Sequence, residues 1–216
     1  KEDMFDAHSY EKGGCILNYL RNYLGDDAFF ASLKLYLTRH SFKTAEIHDL
    51  RICFEEVSGE DLNWFFDQWF FKPGHPVLNV AISYNDSIKQ LSVQVDQRQD
   101  LQQSVIYKLP LSLDVYNNGV HERHNIIIDK KSQRFDFITE AEPDWVDFDA
   151  DKVLVGTMAI QKPKEQWTKQ YKEGKYYATR YEALENLYDL RQYPVVKQVF
   201  TDAMDDAFWD IRSFSI

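Results

Sequence analysis

Two cysteines, Cys15 and Cys53, are all the thiols in 216 residues, too few for a disulfide framework to hold the fold together. Both sit among core-type residues on expected helices and read as buried free thiols, with no bearing on redox compartment. Positive charge is short as well: 25 Lys and Arg stand against 35 Asp and Glu, a formal net charge of −10. That balance argues against nucleic acid as a partner, because phosphate binding needs a basic face. It argues equally against docking on an anionic membrane surface. No apolar run nears the roughly 20 residues that a membrane-spanning helix requires. Low-complexity tracts are missing. So are a signal-peptide pattern and an initiator methionine at Lys1-Glu2-Asp3, and Ser213-Phe214-Ser215-Ile216 breaks off inside a helical pattern. Both ends read as cut from a longer protein, whose compartment stays open between cytoplasmic and periplasmic or secreted.

What is present is a globular composition, 44% hydrophobic and 15% aromatic, which favours filled cores and clefts over disorder. Residues 1–75 carry helical periodicity. Gly13, Ile16, Leu17, Leu20 and Leu24 mark the buried stripe of an opening helix. Gly25 stops it and Asp26 is expected to cap the next, which buries Phe29, Leu33, Tyr36 and Leu37. Thr44 is expected to cap a third helix with Ile47, Leu50, Phe54 and Val57. Asp61 starts a fourth, whose stripe Leu62, Phe65, Phe66, Trp69 and Phe70 ends at Lys72-Pro73-Gly74-His75-Pro76.

From Val77 the period becomes two. Alternating runs over 77–84, 90–96, 105–115 and 120–128 and shorter ones at 135–138, 145–148 and 153–155 predict about seven strands of a small β-sandwich. Pro110 predicts an edge position or bulge, and Asn118-Gly119 a two-residue hairpin turn. After Gln161-Lys162-Pro163 the helical period returns, with Trp167, Tyr171, Tyr177, Tyr181, Leu184 and Leu187. The expected fold class is therefore multidomain α and β: a helical layer at 1–75, a β-sandwich at 76–160 and an α-helical, HEAT-like segment at 161–216.

His8-Ser9-Tyr10-Glu11-Lys12-Gly13-Gly14 stands where the opening helix begins. Two glycines there cost helix propensity, by up to about 1 kcal/mol each against alanine. Keeping them makes sense where another backbone or a substrate must come close. Tyr10 at that mouth could donate a hydrogen bond to an oxyanion forming in an adjacent cleft; a half-buried tyrosine with its hydroxyl in water is the plainer reading. His8, two residues earlier, could line the same cleft or be an exposed loop histidine.

Tyr10-Glu11-Lys12-Gly13-Gly14, the helices after it and Trp69-Phe70-Phe71-Lys72-Pro73-Gly74-His75-Pro76 together resemble the zinc aminopeptidases of the aminopeptidase N family, the gluzincins. The resemblance covers essentially the whole chain, including the order of helical tail, sandwich and superhelix. It implies a peptide substrate, a zinc ion that polarises the scissile carbonyl, and a tyrosine, here Tyr10, that stabilises the tetrahedral intermediate. It assigns Lys12 to the motif without a chemical step. It also implies an upstream catalytic domain as the neighbour of residues 1–75.

The zinc signature of that family, His-Glu-x-x-His on a helix with a later glutamate, does not occur here, so the ligands are expected outside this chain. His121-Glu122-Arg123-His124 has the wrong spacing, and in a strand its two histidines face opposite sides. His75 reads as a turn residue, and His40 and His48 as packing or capping residues. A non-catalytic interaction module built from the sandwich and the helical repeat is the competing reading, and a carbohydrate-binding sandwich a remoter one.

Overall fold

The computed structural model describes residues 8–216, with side chains from Tyr10 onward. Among these residues the elements run α1 (Gly13–Leu24), α2 (Asp26–Arg39), α3 (Ile47–Ser58), α4 (Asn63–Phe66), then seven strands, then α5 (Lys164–Glu173), α6 (Tyr177–Leu187), α7 (Pro194–Ala203) and α8 (Trp209–Phe214). The strands are β1 (Val77–Asn85), β2 (Gln90–Gln97), β3 (Leu109–Asn117), β4 (Val120–Ile128), β5 (Ser132–Ile138), β6 (Trp145–Phe148) and β7 (Thr157–Gln161). They form one sheet in the order β5-β2-β1-β7 and a second in the order β4-β3-β6. No helix of the described residues is long and apolar enough to cross a membrane.

Alternation puts Leu78, Val80 and Ile82 of β1 and Leu91, Val93 and Val95 of β2 inside. They share one apolar cluster with Leu109, Leu111, Leu113, Ile126, Ile128 and Phe148 of the second sheet. That cluster also takes in Ile16, Tyr19, Leu20, Phe54, Phe65, Phe66 and Trp69 from the first helices and Trp167, Leu184, Val196, Val199 and Ile211 from the last. The core thus continues past residues 75 and 160.

The seam between the first helices and the sheets is polar as well as apolar. Buried Tyr19 donates from its hydroxyl to the Pro110 carbonyl at 2.9 Å. The Gln68 amide brackets Lys108, accepting from its N–H at 2.9 Å and donating to its carbonyl at 3.0 Å. A side-chain amide there does the work of a neighbouring strand.

Several sequence expectations need correcting. Gly25 does end α1, at φ +81°, but Asp26 caps nothing; its carboxylate is held by Arg21 at 2.7 and 2.9 Å across the turn. Helix α3 begins at Ile47 rather than beside Thr44, because Glu46 and Asp49 form a capping box. Residues 153–155 are not a strand; the seventh is β7, which runs parallel to β1. Strand β3 is central in its sheet, yet β6 pairs with it only from Leu113 to Tyr116, so Pro110 lies where one side of β3 has no strand neighbour and its missing N–H costs no ladder bond. Leu37, expected inside α2, is 66% exposed, and Val57, expected inside α3, is exposed as well.

Cys15 is exposed, not buried, while Cys53 is fully buried. The helix phase explains it: Ile16, Tyr19 and Leu20 face inward, which turns Cys15 out with Asn18 and Asn22. Burial also pushes the Cys53 thiol above its ordinary pKa. A disulfide reagent should therefore titrate one thiol rapidly in the folded chain and the second only after denaturant is added. Two fast thiols would contradict this packing.

Candidate functional site

The opening motif is not plain α-helix. His8–Lys12 forms a π-helical turn that runs into α1, and a second π turn, Asp67–Phe71, follows α4. Such turns are uncommon and recur at functional positions. Tyr10 lies in the first, 61% exposed, so its ring is not part of the core. The backbone of His8 is one residue-pair upstream in the same turn; its side chain lies outside the described part. No described atom comes within 4 Å of where a Cβ would stand on Gly13 or Gly14. The close backbone approach expected there is not made by the described residues.

The two motifs that carry the family resemblance meet in space. Lys12 Nζ donates to the Gly74 carbonyl at 3.1 Å, joining residues 62 apart. Gly74 has φ +90°, and a Cβ on it would stand 2.6 Å from Ser104 Oγ, so only glycine fits without displacing the loop before β3. That loop is itself braced. Ser104 Oγ donates to the Tyr107 hydroxyl at 3.4 Å, which donates to the Pro73 carbonyl at 3.4 Å. Tyr107 is buried and packs on Trp69 at 5.1 Å between ring centroids, and its backbone is bracketed by buried Gln97 at 2.9 and 2.8 Å. A cleft of about 540 Å³ opens beside this turn, lined by residues that include His75, Gln99, Asp100 and Gln103.

Histidines elsewhere are packing residues. His40 lies against Tyr36, His48 stacks on Phe71 at 4.9 Å, and His124 lies on Phe137 at 4.3 Å. His121 rests on Tyr116, and Arg123 between the two histidines is spent on Asp114 at 2.8 and 2.9 Å. Among the described residues no group of three or more His, Cys, Asp or Glu is placed to hold a metal ion. These residues do not fit a zinc site.

A cluster that sequence reading missed lies where α5 and α6 meet β6. Lys152 Nζ donates to Asp147 at 2.7 Å and Glu182 at 2.8 Å. Lys162 Nζ donates to the Val146 carbonyl at 2.7 Å and to Gln170, and lies 3.8 Å from the centre of the Trp167 ring. Gln170 in turn donates to the Thr179 carbonyl and to Glu182. Burial raises Asp147 above the usual carboxylate range and lifts Asp149 to about 6, against the pull of N–H donors from Leu154 and Val153. The residues span 36 positions, so no local spacing announces them. The charges of Lys152, Asp147 and Glu182 are paired with one another, and the cluster fastens helices to a strand.

Lys162 makes that cluster pH-sensitive. Desolvation pulls its ammonium down from 10.5 to about 7. Between these values the unfolded chain binds the proton and the folded chain does not, so stability rises with pH from about 7 to 10.5. Below 7 the cost of the buried charge is fully present. Denaturant midpoints of the wild type and Lys162→Met should therefore diverge as pH falls from 10 to 7, the variant losing this dependence. Parallel curves would contradict the assignment.

Comparison with known proteins finds similar sequences and a similar fold. Residues 1–69 match the peptidase family M1 domain. Probable aminopeptidase 1 of Sulfurisphaera tokodaii is 34% identical over 140 residues, covering 63% of this chain and 16% of the relative. Leucyl aminopeptidase of Saccharolobus solfataricus is 32% identical over 132 residues, covering 60% and 16%. The crystal structure of Legionella pneumophila aminopeptidase A in complex with aspartic acid superposes with a TM-score of 0.78 at 17% identity, over 94% of this chain and 25% of that one; that likeness is one of fold. The chain is thus similar to the peptidase family M1 domain over residues 1–69 and to aminopeptidases over about three fifths of its length. It spans about a sixth of the length of the curated relatives just named.

Proposed function

We propose that this chain is part of a zinc-dependent aminopeptidase that hydrolyses N-terminal peptide bonds, and that Tyr10 is its oxyanion donor. The observation that carries the reading is the junction of the two motifs: Tyr10 is exposed on a π turn whose Lys12 is tied to Gly74 of the Gly-x-Pro exit. A phenol so held can meet a carbonyl oxygen as it gains negative charge, and a donor aimed at that point is worth about 3 kcal/mol. The zinc and its ligands belong to sequence outside this chain, and the substrate is a peptide.

In this reading residues 1–75 are the helical tail of the catalytic domain, 76–160 a β-sandwich and 161–216 the start of a HEAT-like superhelix. His8 lines the substrate cleft. The upstream part of the catalytic domain is the partner that covers the outer face of α2, where Phe30 and Leu37 are exposed. The test is direct. Full-length protein should release a chromophore from an aminoacyl p-nitroanilide and lose that turnover to a chelator, while residues 1–216 with added zinc should give none. A full-length protein inert with zinc restored would favour a non-catalytic module instead.

A further inference from the structure

Lys12 has no chemical step in the proposed reaction, yet it makes a contact that the motif alone does not explain. Its ammonium spans from the π turn of Tyr10 to the carbonyl of Gly74. Gly74 lies close to Ser104: its φ is positive, and a Cβ on it would stand 2.6 Å from Ser104 Oγ, so the turn packs there without room for a side chain. Ser104 and Pro73 are linked through buried Tyr107, and Tyr107 through Gln97 to the first sheet. A relay of contacts therefore runs from the core of the sheets to the segment that presents Tyr10. We propose that Lys12 is a positioning residue for Tyr10, holding its π turn against the Gly74 exit so that the phenol stays aimed at the reacting carbonyl.

The proposal rests on the reading of Tyr10 as oxyanion donor. The physical reason for a clamp is that a π turn at a helix N-terminus lacks the α-helical ladder, and the glycines after it add backbone freedom rather than restrain it. Misplacing a catalytic group by about 1 Å can cost on the order of 10²-fold in rate. One charge-assisted hydrogen bond to a rigid turn is a local remedy.

Kinetics of the full-length protein with an aminoacyl p-nitroanilide test it, using Lys12→Met, Lys12→Arg, Tyr10→Phe and the double variant Tyr10→Phe/Lys12→Met. Expected are a fall in kcat of about tenfold for Lys12→Met with KM within about twofold, and recovery of most of that loss in Lys12→Arg. The double variant should be no slower than Tyr10→Phe, because a clamp has nothing left to aim. Amide hydrogen exchange over residues 10–14 should quicken in Lys12→Met and not in Tyr10→Phe; where Lys12→Met does not fold, Lys12→Gln takes its place. An unchanged kcat in Lys12→Met beside an impaired Tyr10→Phe overturns the clamp alone. So does a multiplicative loss in the double variant, or a rise in KM at constant kcat. A fully active Tyr10→Phe overturns the oxyanion reading, and the positioning role with it.

Discussion

Replacing Tyr10 by phenylalanine should lower kcat of the full-length protein by roughly 10²- to 10³-fold and leave KM within about twofold. The substitution keeps the ring and removes one hydroxyl, so packing changes little at a side chain that is 61% exposed. On the proposed role, what is lost is a donor to charge that develops only as the carbonyl turns tetrahedral. Removal of one such donor costs about 3 to 4 kcal/mol at the transition state and nearly nothing in the ground state. A loss confined to KM would instead mark Tyr10 as a plain substrate contact. Steady-state kinetics over a range of substrate concentrations separate the two.

The largest expected effect on stability belongs to Lys152. Truncation to alanine leaves Asp147, whose side chain is 4% exposed, and Glu182, at 17%, without their shared cation. Stranding a buried charge in this way costs about 3–5 kcal/mol, which for a chain of this size is a fall in Tm of roughly 10 °C. The penalty arises from the stranded carboxylates and not from the loss of lysine itself. Neutralising all three positions together, as Lys152→Met with Asp147→Asn and Glu182→Gln, should therefore recover much of the loss. Thermal unfolding monitored by circular dichroism measures both variants. A single substitution as mild as the triple one would mean that water reaches the cluster and solvates the carboxylates.

Sequence pattern exposed those parts of the fold that depend on short-range period. The α1 stripe, the Gly25 stop and the alternation of β1 and β2 were legible because each is fixed by neighbours within a few residues. The Asn118-Gly119 turn was legible for the same reason: both residues have positive φ, 51° and 75°. The errors have a common cause. Residues 153–155 alternate as a strand would, but they pair with no strand and the N–H groups of Val153 and Leu154 go to Asp149, whereas Thr157–Gln161 finds a parallel partner in β1, 80 residues earlier. At α3, Thr44 has the right chemistry for a cap, and the reciprocal pair of Glu46 and Asp49 wins. Cys15 was misplaced because a core-type neighbourhood in sequence says little about helix phase.

The candidate site divides in the same way. Tyr10 as a candidate, and the Gly74 turn, were read by resemblance to a motif, which is local. The Lys12–Gly74 bond and the Lys152–Asp147–Glu182 cluster could not be found, because each joins elements whose separation only the fold sets.

The most direct measurement compares two competitive inhibitors of the full-length protein: a phosphinic pseudopeptide, tetrahedral and anionic like the intermediate, and a planar, uncleavable peptide isostere of the same sequence. Tyr10→Phe should weaken the phosphinic compound by about 10²-fold and leave the planar one within about twofold. Equal losses for both, or no loss for the tetrahedral one, would contradict a hydroxyl that acts on the developing oxyanion.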